Sequence, residues 1–394
     1  DVGSGKTVVA AMAALMCMTN NLQVAFMAPT ELLARQHAET LHQLFKPFNL
    51  ETTVCLLVGS MSAKQKGTAY ANISDGSAKL VVGTHALIQE KVDMHNLALV
   101  IVDEQHRFGV DQRKKLLSKA GHAPHMLSMT ATPIPRSLAL TVYGDLDVSI
   151  LKEKPKSRKP VITKLTTPSQ QDAVFTSIDK HLADGQQMFV VCPLIDPSDA
   201  VPAKSVQEAA EGLSKVFAKR SIAILHGKLK SEEKQQIMQK FIDKKIDILV
   251  STTVIEVGVD VPNATVMIIQ SPERFGLAQI HQLRGRIGRG EQQGYCYLLL
   301  SDSNAPSRRL RAIEQSNDGF VLSELDLEIR GPGAIYGHRQ HGELDLRLVS
   351  LGDTKLIKQA RDAAADYAKK PDNLLQYPSL LKRIRDIQKI NHLN

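Results

Sequence analysis

Short apolar runs rich in β-branched residues punctuate the first part of the chain at Val24–Met27, Leu80–Val82, Leu97–Val102 and Met126–Met129, with helical periodicity between them. Such runs predict strands of a parallel sheet that is buried on both faces and wrapped by helices. The segment 151–160, LKEKPKSRKP, breaks the pattern with charge and two prolines and predicts a linker. The alternation then restarts, and Met188–Val191, Ile222–Leu225, Ile246–Val250, Val266–Ile269 and Tyr295–Leu300 predict a second sheet. Beyond about residue 303 the pattern turns helical and turn-rich, ending in an amphipathic tail with Leu381, Ile384, Ile387 and Ile390 that predicts a packed terminal helix. The organisation expected is therefore α/β, with tandem lobes over 1–150 and 161–303 and a helical and turn-rich extension over 304–394. There is no repeat of short period and no low-complexity tract.

Composition adds modestly to this. A chain of 394 residues is too long for one core, and its 43% hydrophobic content is that of an ordinary soluble protein. The formal charge of +8 suits a polyanionic partner, although many basic proteins bind no nucleic acid. Cys17, Cys55, Cys192 and Cys296 are far apart and form no CxxC pair, so a disulfide framework and a zinc site are both unsupported and a reduced cytoplasmic setting is expected. The apolar run Val8–Met18 after Lys6 reads as a helix following a loop rather than a secretory leader, and no run approaches the roughly 20 residues that cross a bilayer.

Candidate chemistry sharpens the picture. Asp1–Thr7 reads DVGSGKT, which supplies all of the phosphate loop G-x-x-x-x-G-K-[ST] but its opening glycine. Gly3, Ser4 and Gly5 would turn successive N–H groups toward phosphate oxygens, Lys6 would neutralise their charge, and Thr7 would place its hydroxyl on Mg²⁺. Read alone, the heptad is also an ordinary Gly/Ser turn. The run Leu97–Val102 ends in Asp103-Glu104-Gln105-His106, two carboxylates at the C-terminal end of a strand, where open parallel sheets bind nucleotides. Asp103 can hold the Mg²⁺ shell and Glu104 can orient or deprotonate the attacking water, whereas the same tetrapeptide in isolation is a solvated loop. In the second lobe, QLRGRIGRG over 282–290 puts Arg286 and Arg289 three residues apart, a spacing that predicts one helical face. Their guanidinium groups can reach a γ-phosphate or touch nucleic-acid backbone, and the two readings are compatible.

In this order the three elements resemble the signature motifs of superfamily 2 helicases, and the intervening segments match as well. APTELLARQ (28–36) and GTHAL (83–87) are similar to first-lobe motifs that grip one strand, which implies strand contacts for Thr30, Arg35 and Thr84. Thr30 with Glu31 is equally a capped helix start. Thr130-Ala131-Thr132 resembles the motif that links hydrolysis to lobe movement. STTVIEVGVDVP (251–262) resembles the motif in which threonines, here Thr252 and Thr253, face nucleic acid while Gly258 and Asp260 lie near the nucleotide. His106 and Gln282 fall to strand contact or coupling by the same match.

DEQHRFGV (103–110), ATPIPRSLAL (131–140), SPERFGLAQIHQLRGRIGRG (271–290) and SNDGFVLSELDLEIRGPGAIYGHRQHG (316–342) narrow the resemblance to the RecG family, with Mfd-like transcription-repair coupling translocases as the alternative. The last segment resembles the element that turns lobe closure into duplex movement, which marks Arg330, Arg339 and Gln340 as coupling residues, although RGPG by itself reads as a turn. The resemblance implies two RecA-like lobes of a P-loop NTPase, with ATP and Mg²⁺ bound between them and branched or duplex DNA crossing both. It further implies a monomer working in recombination and repair. The chain opens inside a motif, without the opening glycine, the strand that feeds the loop or an N-terminal wedge domain. That implies a motor fragment with an exposed sheet edge and apolar surface, low stability and weak ATPase activity, or a catalytically inactive nucleic-acid-binding piece.

Overall fold

The computed structural model describes residues 1–132, 147–151, 153, 159–193, 202–252, 261–290, 292–302, 305–330, 354–369 and 376–384. The chain divides into two compact units, Asp1–Pro133 with Leu151–Leu322, and Ile134–Ile150 with Ser323–Asn394. The first unit holds both sheets.

The first sheet contains β1 (Gln23–Met27), β2 (Val54–Leu57), β3 (Leu80–Gly83), β4 (Leu97–Val102) and β5 (His125–Ser128), in the order β2-β3-β1-β4-β5. Every pairing in it is parallel. Side chains alternate between two cores, as strand geometry requires. Val24, Phe26, Val82 and Ile101 join the helices α1 (Lys6–Thr19) and α2 (Glu31–Phe45) on one face. Ala25, Met27, Val81 and Val102 pack on the other face with Ala69 and Ile73 of α3 (Ala63–Ser74) and Leu116 of α4 (Val110–Leu117). Thr30 does cap α2, its side chain accepting from Leu33 N. On α1 the outward residues Val8, Val9, Met12 and Met16 are exposed.

The second sheet contains β6 (Ile162–Thr166), β7 (Gln187–Val191), β8 (Ile222–Leu225), β9 (Ile248–Ser251), β10 (Ala264–Gln270) and β11 (Tyr295–Leu299), again all parallel. Its order is β8-β9-β7-β10-β11-β6 when read from the β8 edge. The helices α5 (Gln171–Ala183), α6 (Pro202–Val216) and α7 (Ser231–Ile242) belong to this half, as does α8 (Leu277–Arg284). Then follow α9 (Arg308–Gln315), α10 (Gly319–Arg330) and α11 (Thr354–Ala368), the helix-rich extension. The tail is helical over 378–384, and Ile387 and Ile390 lie outside the described residues.

The two sheets follow one plan down to single residues. Gln23 opens β1 and donates its side-chain amide to the carbonyls of Ile73 (2.8 Å) and Ala78 (2.7 Å). Gln187 opens β7 and does the same to Phe241 (2.6 Å) and Ile246 (2.7 Å). The backbone N–H of each glutamine donates to an asparagine carbonyl, Asn96 in one lobe and Asn263 in the other. Lys66 and Lys234 each reach back to a glycine carbonyl, Gly59 and Gly227. Finally β4 and β10 are each followed by a non-glycine residue with left-handed backbone, Glu104 and Ser271, a short 3₁₀ turn and the tripeptide Arg-Phe-Gly, at 107–109 and 274–276. One place differs: β11 is flanked by β6, whereas β5, its counterpart, ends the first sheet with no further strand among the described residues.

Two edge strands, β2 and β6, lie outside the runs singled out in the sequence: β6 reads ITKLT and is interrupted by polar residues, whereas β2 reads VCLL, an unbroken but short apolar run.

Candidate nucleotide and nucleic-acid site

The phosphate loop turns through Gly3 (φ 70°) and Gly5 (φ 86°), left-handed conformations that favour glycine, and Gly5 caps the N-terminus of α1. The carbonyl of Asp1 accepts from Ser4 Oγ at 3.0 Å and from Lys6 Nζ at 2.5 Å. Burial pushes the Lys6 ammonium below its usual range; Glu104 and Asp103 pull it back up, while Arg286 and Arg289 push it further down. The cation, both carboxylates and both arginines therefore share one electrostatic site. Thr7 stands half-buried beside Lys6 at the start of α1.

Asp103 leaves the end of β4, where its N–H donates to Met27 O at 2.9 Å. One carboxylate oxygen, Oδ2, accepts from His37 Nε2 on α2 at 2.9 Å. Glu104 follows with φ 48° and ψ 56°, a conformation that costs a residue with a Cβ about 1–3 kcal/mol. Its Oε2 accepts from the N–H of Ala131 at 3.2 Å, so the carboxylate is tied to the Thr-Ala-Thr segment. In the other lobe the counterparts of this acidic pair are the neutral Gln270 and Ser271, and the segment before α5 reads TTPSQ, without glycine. The duplicated plan thus carries one phosphate loop and one acidic pair.

The second lobe contributes α8 and the turn after it. Arg286 and Arg289 do not share a helical face as their spacing predicts, because α8 ends at Arg284 and Gly288 takes φ 61°. They lie on the turn, with Arg286 buried and Arg289 Nε donating to Gly285 O at 3.3 Å. Gly285 is required by proximity: a Cβ there would lie 2.6 Å from Val2 Cγ1, next to the phosphate loop.

Other links cross between the lobes. Gln282 Nε2 donates to Thr132 Oγ1 at 2.5 Å. His281 Nε2 meets Asp1 Oδ1 at 2.6 Å with both side chains buried, and Arg284 Nη2 donates to His281 Nδ1 at 2.9 Å. That bond fixes the imidazole tautomer: Nδ1 accepts, so Nε2 carries the proton and donates to Asp1. Arg284 also donates to the carbonyls of Ile313 and Ser316, both at 2.8 Å, and burial lowers its guanidinium to about 10, still charged at neutral pH. A cavity of about 110 Å³ lies at this junction, lined by Asp1, Val2, Lys159, His281 and Arg284 among others.

The nucleic-acid candidates are less concentrated. Arg35 donates to Ser60 Oγ at 3.2 Å, and Ser60 in turn bonds Glu31, so Thr30, Glu31 and Arg35 form one patch at the start of α2. The Thr84 hydroxyl is buried with no hydrogen bond among the described residues. Thr130 Oγ1 accepts from Thr132 N at 3.1 Å, and Thr252 is buried beyond β9. Thr253, Gly258, Asp260, Arg339 and Gln340 lie outside the described residues, as do the side chains of His106 and Arg330. Sequence reasoning missed His37, His281 and Arg284, since nothing in a single sequence distinguishes a histidine that meets a carboxylate from one that packs.

Known proteins resemble this chain in both lobes. Residues 1–141 match the DEAD/DEAH box helicase family and residues 169–291 the helicase conserved C-terminal domain. The ATP-dependent DNA helicase RecG of Synechocystis is 48% identical over all of this chain and 47% of its own length. That of Aquifex aeolicus is 46% identical over 97% of this chain and 49% of its own. A solved structure of RecG bound to a three-way DNA junction superposes with a TM-score of 0.75 at 44% identity, covering 91% of this chain and 46% of that one. The chain spans about half the length of the curated relatives it matches, and on these matches it belongs to the RecG family of superfamily 2 helicases.

Proposed function

We propose that this chain is the ATP-hydrolysing motor of a DNA translocase that remodels branched DNA, with lobes at 1–150 and 161–303, a linker at 151–160 and a coupling element within 304–394. What supports this reading is that Asp103 and Glu104 from one lobe and Arg286 and Arg289 from the other all lie near enough to Lys6 to act on its charge, while Gln282 of the second lobe bonds Thr132 of the first. A nucleotide held there is gripped fully only when both lobes contribute.

In this mechanism Lys6 exchanges the Asp1 carbonyl for the β- and γ-phosphate oxygens, and the loop N–H groups of Gly3, Ser4 and Gly5 surround them. Glu104, held by the Ala131 N–H, orients the attacking water and takes its proton. Arg286 and Arg289 neutralise charge developing on the γ-phosphoryl oxygens, a contribution worth about 10³ to 10⁵ in rate. One hydroxyl, Thr7, and one carboxylate, Asp103, form a hard oxygen donor set that fits Mg²⁺, an ion that keeps waters and substrate phosphates in its shell. When bound, Mg²⁺ would neutralise phosphate charge. Loss of the γ-phosphate removes what Arg286 and Arg289 hold, and the lobes part. Gly258 and Asp260 complete the nucleotide side in this reading. Thr30, Arg35, Thr84, His106, Thr252 and Thr253 grip the DNA backbone, while Arg330, Arg339 and Gln340 convert lobe motion into duplex movement.

Branched DNA is the favoured substrate because a relative 44% identical over 91% of this chain is described on a three-way DNA junction. The test is ATP hydrolysis with and without linear and three-way-junction DNA, in the wild type and in Lys6→Ala and Arg289→Ala. Junction DNA is expected to stimulate most, and each variant to lose at least about a hundredfold in kcat. Unchanged hydrolysis in both variants would overturn the site; equal stimulation by linear DNA would overturn the substrate.

A further inference from the structure

We propose that His37 is a positioning residue for the metal-shell carboxylate: from the middle of α2 it fixes the orientation of Asp103, so that Mg²⁺-dependent nucleotide affinity depends on it. This deepens the reading above and rests on the assignment of Asp103 to the Mg²⁺ shell.

The argument begins with the pair itself. His37 Nε2 lies 2.9 Å from Asp103 Oδ2, with the side chains only 12% and 13% exposed. A carboxylate can only accept, so Nε2–H donates, and the bond occupies one oxygen while leaving Oδ1 for the metal shell. The imidazole is itself held: its ring lies against that of fully buried Phe26, centroids 4.7 Å apart at 44°. Phe26 belongs to β1, the central neighbour of β4, so strand, ring and carboxylate form one packed series.

The duplicated lobe supplies the control. At the place of Asp103 it carries Gln270, whose Oε1 meets the thiol of Cys192 at 3.4 Å, a weak donor on a neutral amide. The charge-assisted bond from an imidazole is therefore present in the lobe that has the phosphate loop, and its counterpart position has a neutral contact. A bond of that kind is what orients a first ligand: outer partners of metal-ligating groups typically change metal affinity about 10–100-fold when removed.

His37 also shares its helix with the strand-contact candidates. Thr30 caps α2, and Arg35 and Glu31 converge on Ser60 within its first turns. A shift of α2 on contact with DNA would thus move the donor on Asp103, which gives nucleic acid a short path to the metal shell.

The experiment measures equilibrium binding of a fluorescent ATP analogue to the intact protein in EDTA and in Mg²⁺, for the wild type, His37→Ala, His37→Gln, His37→Asn and Asp103→Asn. The expected result is a 10–100-fold fall in the Mg²⁺-to-EDTA affinity ratio for His37→Ala, with the EDTA affinity unchanged. His37→Gln should restore the ratio, because its amide Nε2 can reach the place of the imidazole donor, whereas the shorter His37→Asn should not. If His37→Ala melts too low to measure, the contrast between Gln and Asn decides: equal ratios overturn the proposal. A ratio unchanged in His37→Ala but lost in Asp103→Asn overturns the positioning role alone. A ratio unchanged in Asp103→Asn overturns the metal assignment on which it stands.

Discussion

Gln282, on the last turn of α8, donates its side-chain amide to the hydroxyl of Thr132 at 2.5 Å, joining the second lobe to the Thr-Ala-Thr segment of the first. Thr132 is bonded through its N–H to Thr130, and the neighbouring Ala131 N–H holds the Glu104 carboxylate. A relative movement of the lobes is thereby felt within two residues of the group proposed to orient water. Gln282→Ala and Thr132→Val are each expected to reduce DNA-stimulated hydrolysis about tenfold while leaving nucleotide affinity within about twofold. A double-mutant cycle on kcat should return a coupling of about 0.5–3 kcal/mol. Additive losses would show that the bond carries no coupling.

Burial raises the thiols of all four cysteines, pushing Cys55 up to about 11 and Cys192 and Cys296 to about 12. At pH 8 the native chain should react with a thiol reagent at Cys192 and Cys296 on the order of a thousandfold more slowly than a free thiol. The sign for stability follows from the raised values. The unfolded thiols ionise first, so the contribution is complete below pH 9 and is lost between pH 9 and about 12. Labelling followed by peptide mass analysis during a urea titration checks this, since Cys192 and Cys296 should become reactive together with unfolding of the second lobe. Rapid labelling of either in the native state would contradict the burial.

The central strands were legible in the sequence because burial on both faces leaves unbroken apolar runs, as in LALVIV of β4 and TVMIIQ within β10. The edge strand β6, ITKLT, alternates and is half-exposed, so its pattern resembles loop. The tight turn at Gly3 and Gly5 and the placing of Asp103 and Glu104 after β4 were legible for a different reason: glycines with left-handed backbone and carboxylates at a strand end are local features. The placement of Arg286 and Arg289 was not, because spacing alone assumes a continuing helix, and α8 stops at Arg284 before the turn at Gly285. Long-range partners such as His37 with Asp103 or Arg284 with Ser316 depend on how distant segments meet, which no window of sequence contains.

Arg284 provides the donors for four acceptors at once, His281 Nδ1, Thr163 Oγ1 and the carbonyls of Ile313 and Ser316. Replacing it with Met keeps much of its volume and strands those acceptors in a buried place, so Arg284→Met is expected to cost about 3–5 kcal/mol. His281→Ala, which removes one link of the same series, should cost about 1–3 kcal/mol. Hydrogen exchange provides the local readout: amides between Ser316 and Gly319, at the entry to α10, should exchange faster in Arg284→Met while those of β1 stay protected. Equal protection at both places would mean that the guanidinium does not hold this segment.

Glu104 and Ser271 occupy matching places after β4 and β10 with nearly the same left-handed backbone, φ 48° and 47°. Both residues carry a Cβ where glycine would relieve strain, so the duplicated plan offers one test with and one without chemistry attached. Ser271→Gly should raise the free energy of unfolding by about 1 kcal/mol and leave hydrolysis unchanged, because relief of strain exceeds the entropy that glycine adds to the unfolded chain. Glu104→Gly should stabilise by a similar amount while lowering kcat at least about a hundredfold, since the group proposed to orient water is gone. Glu104→Gln separates the two effects: it keeps the strained backbone and the wild-type stability, yet should lose hydrolysis as fully as the glycine variant. Denaturant unfolding paired with steady-state ATPase rates on the three variants decides the matter. A Glu104→Gly protein no more stable than wild type would show that the surrounding turn, rather than the side chain at this position, sets the backbone.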